Sequence, residues 1–302
     1  MSSLMRYQVR HETVYTYGSD VVHSHQLLHL IPRPALYQQC LQHDIQISPA
    51  SCRRRDEVDP FGNLVTRVEF EQPHRRLEVI TQMEVHVHAP PPVIAEETQP
   101  WEQTREMLAY RGHWPSRSDL DACRFRHESP YVRVKQVFTD FAAECFEAGT
   151  PILVGAEALM TKIHRELRYA PGETQIGTPL MDVLKHRRGV CQDFAHLMIA
   201  CLRSLGLAPR YVSGYVRLLT PRSDSDAAST SNNIGASHAW VAVYAPPYGW
   251  IELDPTNNVR VATDHIAIAW GRDFGDVSPL RGVILGGGSH ELEVGVEVRL
   301  VG

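Results

Sequence analysis

The chain has 302 residues, of which 43% are apolar and 22% charged, a composition typical of a globular protein. This length indicates about two domains and is sufficient to bury large apolar cores without disulfides. The formal net charge of −5 leaves no broad basic field to gather nucleic acid or anionic lipid, so we expect neither nucleic acid nor membrane as a partner.

The sequence contains no signal for export or membrane insertion. No run reaches the ~18 apolar residues of a bilayer-spanning helix, and residues 1–10 enter a strand pattern directly. The cysteines form no C-x-x-C pair, which is typical of reduced thiols; they are Cys40, Cys52, Cys123, Cys145, Cys191 and Cys201. We therefore predict a cytoplasmic protein.

Alternating apolar and polar residues predict antiparallel strands through the N-terminal region. The basic run Arg53–Arg55 is followed at once by two acidic residues and is interpreted as a solvated turn. Prolines follow Ala89 and indicate a boundary, so residues 1–89 are predicted to form an antiparallel β-sandwich domain. The strand patterns cover residues 7–17, 41–47, 64–70 and 77–87.

Histidines at alternating positions raise the question of a metal site in this region. Alternate residues of a strand share one face, but a metal site usually needs a third or fourth ligand, and nothing in the sequence fixes one. We therefore predict no metal site and interpret these side chains as solvated or hydrogen-bonded. The residues concerned are His23, His25, His29, His86 and His88.

Residues 90–150 are predicted to form a helical linker region. A short helix is expected around Trp101–Tyr110. A capping residue followed by proline predicts a second helix that starts at Ser129-Pro130 and ends at Gly149. The same signal predicts further helices after Thr150-Pro151 and Thr178-Pro179, the last running over Leu180–Arg187. Residues 151–302 are then predicted to form the second domain.

A buried helix is predicted to begin near Cys191. Apolar residues recur at helical spacing as far as Leu205, and Gly206 follows where a left-handed C′ residue belongs. Gly189 is the best N-cap available, which puts Cys191 in the first helical turn. The helix dipole contributes only about 0.3–1 kcal/mol to an anion there, so a reactive thiol needs a second cation, normally a histidine.

A β-hairpin downstream offers that histidine. A strand begins at His238, turns at Ala245–Gly249 and returns through Trp250 to Asp254. If Tyr244 faces Trp250, then His238 and Asp254 are diagonal neighbours on one face, about 7–8 Å apart. The three side chains then follow the order of a catalytic triad along the chain. The thiol on the helix is the nucleophile, the imidazole on the strand is the base, and the carboxylate on the next strand orients the imidazole.

The remaining C-terminal patterns are simpler. Arg210–Leu219 and Glu291–Val298 predict strands, and Gly286–Gly288 predicts a hinge or turn because it lacks the Lys-Ser/Thr of a phosphate loop. The polar segment 221–233 is interpreted as a variable surface connection, with a mobile flap beside the cleft as the alternative.

Three segments resemble the bacterial transglutaminase-like superfamily, which has a Cys-His-Asp triad of the papain type. Residues 169–174 are similar to the segment that precedes the nucleophile in that family, and residues 5–88 are similar to its β-rich N-terminal domain. The resemblance implies an α+β fold, in which the sandwich precedes a core of helices packed on an antiparallel sheet. The segments are Gly189–Asp193, His238–Trp240 and Leu253–Asn257.

The resemblance also implies roles for individual residues. Cys191 would be the nucleophile, His238 the base, and Asp254 the residue that orients the histidine. The backbone N–H of Cys191 is expected to help bind the oxyanion, because amides at a helix start are unpaired. The second donor stays open among Gln175, Tyr169 and Gln192. Trp240 is either a wall of the cleft or a core residue.

The sequence predicts thiol-dependent acyl transfer on a peptide or amide bond of a peptide or protein substrate. Hydrolysis by a cysteine peptidase or amidase is favoured, because water is always available and amine transfer needs an acceptor site that the sequence does not reveal. The alternatives are a protein-glutamine amine transferase and a catalytically idle fold that acts as a binding module. No cofactor is expected, and the oligomeric state is not predicted.

Overall fold

The computed structural model describes residues 4–50, 52–109, 116–217 and 236–301. The strands of the N-terminal half are β1 Leu4–Leu28, β2 Gln38–Ser48, β3 Arg53–Val58, β4 Leu64–Phe70, β5 His74–His88 and β6 Arg168–Tyr169. Those that follow are β7 Arg188–Gly189, β8 Pro209–Val216, β9 Ala236–Tyr244, β10 Trp250–Asp254, β11 Val259–Arg260, β12 His265–Gly271, β13 Leu280–Gly286 and β14 His290–Leu300. The helices are α1 Trp101–Leu108, α2 Arg117–Cys123, α3 Gln136–Ala142, α4 Ile152–Glu166, α5 Leu180–His186, α6 Cys191–Ser204 and α7 Phe274–Val277.

The long strand β1 organises the N-terminal region. Its first part pairs with β5 and β14, and its second part pairs with β4 and β13, all antiparallel. Two four-stranded groups result, β2–β5–β1–β14 and β3–β4–β1–β13, which share β1. Both groups contribute side chains to one apolar cluster, as the two layers of a sandwich do; the cluster includes Val21, Leu28, Ile45, Val68, Phe70, Leu77 and Val79.

The basic run in this region is a strand, so its interpretation as a turn is wrong. Arg53, Arg54 and Arg55 lie in β3, which pairs on one side with β4 at the edge of the sheet. Nearly all side chains of β3 are exposed, so the strand lacks the alternation of apolar residues that predicts strands elsewhere. A charged edge strand of this kind resists pairing with another chain.

The two C-terminal strands return to the N-terminal sheet. β14 pairs with β1 from Tyr7 opposite Leu300 to Tyr17 opposite His290. The predicted turn between β13 and β14 is confirmed, because Gly286, Gly287 and Gly288 all have positive φ. Residues 280–300 therefore share a sheet with the N-terminal region, whereas the predicted domain limits (1–89, 90–150 and 151–302) stay a prediction.

The remaining structure is a core of helices on an antiparallel sheet with strand order β11–β10–β9–β8–β12. α6 packs on β8 and β9 and is flanked by α3, α4 and α5. Every residue of α6 from Asp193 to Arg203 is buried, so the start of this helix is held firmly. The mixed α+β architecture with a papain-type core is the predicted fold class.

The predicted helices are confirmed with one exception. The helix expected from Ser129-Pro130 begins only at Gln136, because Ser129 and Val132 form a tight backbone bridge that interrupts the helical path. Tyr110, Leu219 and the loop 221–233 lie outside the residues that the structure describes. Within the described ranges, no helix has the length and apolarity needed to cross a bilayer.

Candidate active site

The helix that carries Cys191 is capped by the side chain of Asp193. Val190, not the predicted Gly189, is the N-cap residue, and Cys191 is the first residue of α6. Asp193 Oδ2 accepts hydrogen bonds from the backbone N–H of Val190 at 2.8 Å and from Thr174 Oγ1 at 2.7 Å. Gly189 permits this contact, because a Cβ there would lie 2.7 Å from the Cβ of Asp193.

The hairpin brings His238 and Asp254 into direct contact. Trp250 lies opposite Tyr244, so the predicted register is confirmed. His238 Nε2 and Asp254 Oδ2 are 2.8 Å apart, and both residues are buried. The diagonal placement inferred from the strand pattern therefore becomes a hydrogen bond.

Three kinds of donor fix the carboxylate of Asp254. Asp254 Oδ1 accepts the backbone N–H of Thr256 at 2.9 Å and that of Asn257 at 3.1 Å. Oδ2 also accepts from Asn257 Nδ2 at 2.7 Å. Burial alone would raise the pKa of Asp254, but hydrogen bonds and charge from His238 and His265 hold that pKa well below its usual range. Asp254 is therefore an ionised carboxylate in the interior.

The thiol of Cys191 completes the group. Burial would lower the pKa of His238, but hydrogen bonds and charge from Asp254 and Cys191 outweigh burial and raise it to about 10. His238 Nε2 contacts Asp254, so Nδ1 is the ring nitrogen that remains for a second partner. Cys191 is partly exposed at the start of a helix. Cys191, His238 and Asp254 thus stand in the order of a nucleophile, a base and an orienting group.

Sequence reasoning missed a second histidine on Asp254. His265, the first residue of β12, places Nε2 2.9 Å from Asp254 Oδ2 and is buried. The Trp240 indole and the His265 ring form a T-shaped pair at a centroid distance of 5.1 Å. His265 lies outside every motif and β12 pairs with β8, so no local signal links it to Asp254.

Comparison with known proteins finds two family models that match separate parts of the chain. Residues 7–86 match the bacterial transglutaminase-like N-terminal region, and residues 139–255 match the transglutaminase-like superfamily. An uncharacterized protein of Mycobacterium tuberculosis is 35% identical over 306 residues, covering 99% of this chain and 94% of its own length. The chain belongs to the bacterial transglutaminase-like superfamily.

One further sequence relative and one solved structure also cover nearly the whole of this chain. An uncharacterized protein of Mycobacterium leprae is 32% identical over 295 residues, covering 98% of this chain and 99% of its own. The crystal structure of a protein from Cytophaga hutchinsonii, described as a candidate cysteine protease, superposes with a TM-score of 0.75 at 19% identity. That match covers 100% of this chain and 93% of the other and shows the shared fold.

The candidates for a second oxyanion donor lie in the first turn of α6 or in the segments that precede it in the chain. Gln192 Nε2 donates to the carbonyl of Ile176 at 3.2 Å, and the side chain of Gln175 is exposed. Tyr169 is exposed and pairs through its backbone with Gly189, while its ring edge contacts Phe194. All three stay candidates for this role.

Of the two places left open for Trp240, the structure supports the core and not the wall of a cleft. Its side chain is fully buried, and its indole N–H donates to Glu252 Oε2 at 2.7 Å. Its ring packs against His265 and lies 6.1 Å from the ring of His238. Trp240 is therefore a core residue that supports the two imidazoles.

The buried imidazoles and carboxylate also lie close enough for metal ligation. The ligand atoms of His238, Asp254 and His265 are within 4.8 Å of one another. Metal ligation requires neutral imidazole, whereas the raised pKa of His238 keeps its ring protonated at neutral pH. The group is therefore better suited to proton transfer than to metal binding.

Proposed function

We propose that this transglutaminase-like protein hydrolyses peptide or amide bonds through a thioester on Cys191. Thiol-dependent chemistry is supported by membership of the superfamily. The observation that carries the proposal is the hydrogen bond between His238 and the buried Asp254, with the Cys191 thiol acting on the same imidazole.

The reaction divides into two steps of acyl transfer. The Cys191 thiolate attacks the carbonyl carbon, the C–N bond breaks, and His238 gives its proton to the departing amine. Water then attacks the thioester carbon while His238 takes the proton of that water. The C–S bond breaks, and the carboxylic acid leaves as the Cys191–His238 pair is restored. Asp254 holds the imidazole in orientation through both steps.

Hydrogen-bond donors at the start of α6 bind the oxyanion in each step. The backbone N–H of Cys191 lies in the first helical turn, where amides have no partner within the helix. We place the carbonyl oxygen of the substrate there, with the second donor among Gln175, Tyr169 and Gln192. Preorganised donors of this kind stabilise the charge that develops in the transition state.

Alkylation of Cys191 tests whether the thiol is activated. The full chain is treated with iodoacetamide near neutral pH, and each cysteine is followed by peptide mass spectrometry. Cys123 is an internal control, because burial raises the pKa of that thiol. We expect Cys191 to react much faster than Cys123, and His238→Ala to slow Cys191 alone. Equal rates at Cys191 in the two proteins would contradict an activated thiol and favour an idle fold used for binding.

A second experiment separates hydrolysis from amine transfer. A peptide library containing glutamine is incubated with the protein, with and without a labelled primary amine, and Cys191→Ala is the control. Cleavage or deamidation that depends on Cys191 and is unchanged by the amine supports a hydrolase. Label incorporated into glutamine would instead identify an amine transferase, since amines and water resolve the same thioester.

A further inference from the structure

Two histidines and a glutamate meet on the exposed face of the N-terminal sheet. His23 and His25 are alternate residues of β1, and Glu69 lies directly opposite His25 on β4. The Nε2 atoms of His23 and His25 are 2.8 Å apart. Glu69 Oε1 is 3.6 Å from Nε2 of His25 and 3.8 Å from that of His23. The sequence offers the two histidines, and the pairing of β1 with β4 supplies a third ligand.

We infer that His23, His25 and Glu69 bind one divalent transition-metal ion of the zinc class. Zinc lies about 2.0–2.2 Å from imidazole nitrogen and carboxylate oxygen, so ligand atoms of a tetrahedral site are about 3.3 Å apart. The three observed separations lie on either side of that value. Small side-chain rotations are therefore enough to bring all three atoms onto one ion.

The neighbouring charges leave the carboxylate of Glu69 available. Arg53 lies opposite Glu69 on β3, but its guanidinium contacts Glu71 at 3.3 Å. Arg67 pairs with Glu57. Across the described part of the chain, the ion pairs of Glu69 are with His23 and His25. The adjacent arginines thus bind other carboxylates, and Glu69 faces the imidazoles.

The ligand set decides the class of ion. Imidazole nitrogens suit zinc and its neighbours in the first transition series, whereas magnesium and calcium prefer sites made of oxygen alone. The His25 side chain is 60% exposed, so the remaining coordination positions are open to water. An ion held by β1 and β4 would crosslink two strands of the N-terminal sheet. This group lies on a different sheet from His238 and Asp254.

Calorimetric titration of the full chain with zinc chloride tests the inference. Wild type is compared with His25→Ala, with the near-isosteric Glu69→Gln, and with His43→Ala, which removes another exposed strand histidine. We expect wild type to bind one zinc ion and His43→Ala to match it. His25→Ala and Glu69→Gln should each lose about tenfold or more in affinity, because each removes a direct ligand. Zinc should also raise the Tm of wild type more than that of His25→Ala.

Three results would overturn the assignment. The first is that wild type does not bind zinc. The second is that His25→Ala and Glu69→Gln bind zinc with the affinity of wild type. The third is zinc binding that persists in His25→Ala but is lost in His238→Ala, which would place the ion beside Cys191. Circular dichroism of each variant confirms that it is folded, and the conservative Glu69→Gln keeps the comparison valid if His25→Ala does not fold.

Discussion

The imidazole of His238 lies between an anionic partner and a thiol, and this position determines how its charge responds to pH. Its pKa is raised to about 10 from an ordinary value near 6.5, because Asp254 and Cys191 outweigh the effect of burial. Folding therefore favours the protonated ring. The contribution of His238 to the free energy of unfolding is fully present below about pH 6.5 and is lost as pH rises through about 10.

This linkage predicts a measurable slope in stability. Between pH 6.5 and 10, the free energy of unfolding of wild type should fall relative to that of His238→Gln, which has no ionisable ring. Urea unfolding of both proteins at pH 6, 8 and 10 measures the difference. A difference that stays constant over this range would contradict the raised pKa of His238.

His265 provides a second prediction at the scale of single residues. His265→Ala removes a buried hydrogen bond to Asp254 and should lower the free energy of unfolding by about 1–3 kcal/mol. If His265 positions Asp254, the variant should also slow alkylation of Cys191 under conditions where the protein is fully folded. His265→Asn, which keeps a donor, should recover part of the rate. A loss of stability without any change in alkylation rate would assign His265 a structural role alone.

At the scale of elements, the start of α6 depends on the close approach of Asp193 to Gly189. An added Cβ at Gly189 would lie 2.7 Å from both the Cβ and Oδ2 of Asp193, so the capping carboxylate would have to move. The cap fixes the first turn of the helix, and that turn carries Cys191. Backbone geometry and the reactivity of the thiol are thereby coupled.

We expect Gly189→Ala to lower the free energy of unfolding by about 0.5–2 kcal/mol, the usual contribution of an N-cap. It should also slow alkylation of Cys191. Gly295→Ala on β14 is the matched control, because a Cβ there meets nothing within 4 Å. Urea unfolding and peptide mass spectrometry measure the two effects. Equal behaviour of the two variants would show that the contact between Gly189 and Asp193 is unimportant.

At the scale of the whole molecule, the C-terminal strand β14 connects the N-terminal sheet to the helical core. Val298 is 0% exposed and belongs to the same apolar cluster as Tyr7, Val85 and Leu197. This cluster therefore combines side chains of the N-terminal sheet with those of α6. The two predicted regions share buried surface, and we expect them to unfold together.

A matched pair on β14 tests this connection. Val298→Ala removes buried methyl groups and should cost about 1–3 kcal/mol of unfolding free energy. Val294→Ala, on the same strand but 52% exposed, should cost little. Denaturation followed by tryptophan fluorescence and by circular dichroism should give one coincident transition for each variant. A separate transition for the N-terminal sheet would contradict the shared core.

Local patterns in the sequence were sufficient for the parts of the candidate site that lie within one helix or one hairpin. The period of α6 predicted its length and the place of Cys191, and the turn after Tyr244 fixed the register that brings His238 to Asp254. These elements follow from neighbouring residues, because helical and strand periodicity and turn geometry act over a few positions.

Only the tertiary structure decided which distant groups meet. His265 reaches Asp254, Glu69 reaches His25, and β14 reaches β1 through contacts between separate strands. The charged segment β3 is a strand because it pairs with β4. Asp193 can cap α6 because Gly189 has no Cβ to block its side chain. The sequence determined α6 and the β9–β10 hairpin by their own periodicity. Their neighbours were selected by burial of a common core, which leaves no periodic signal in the sequence.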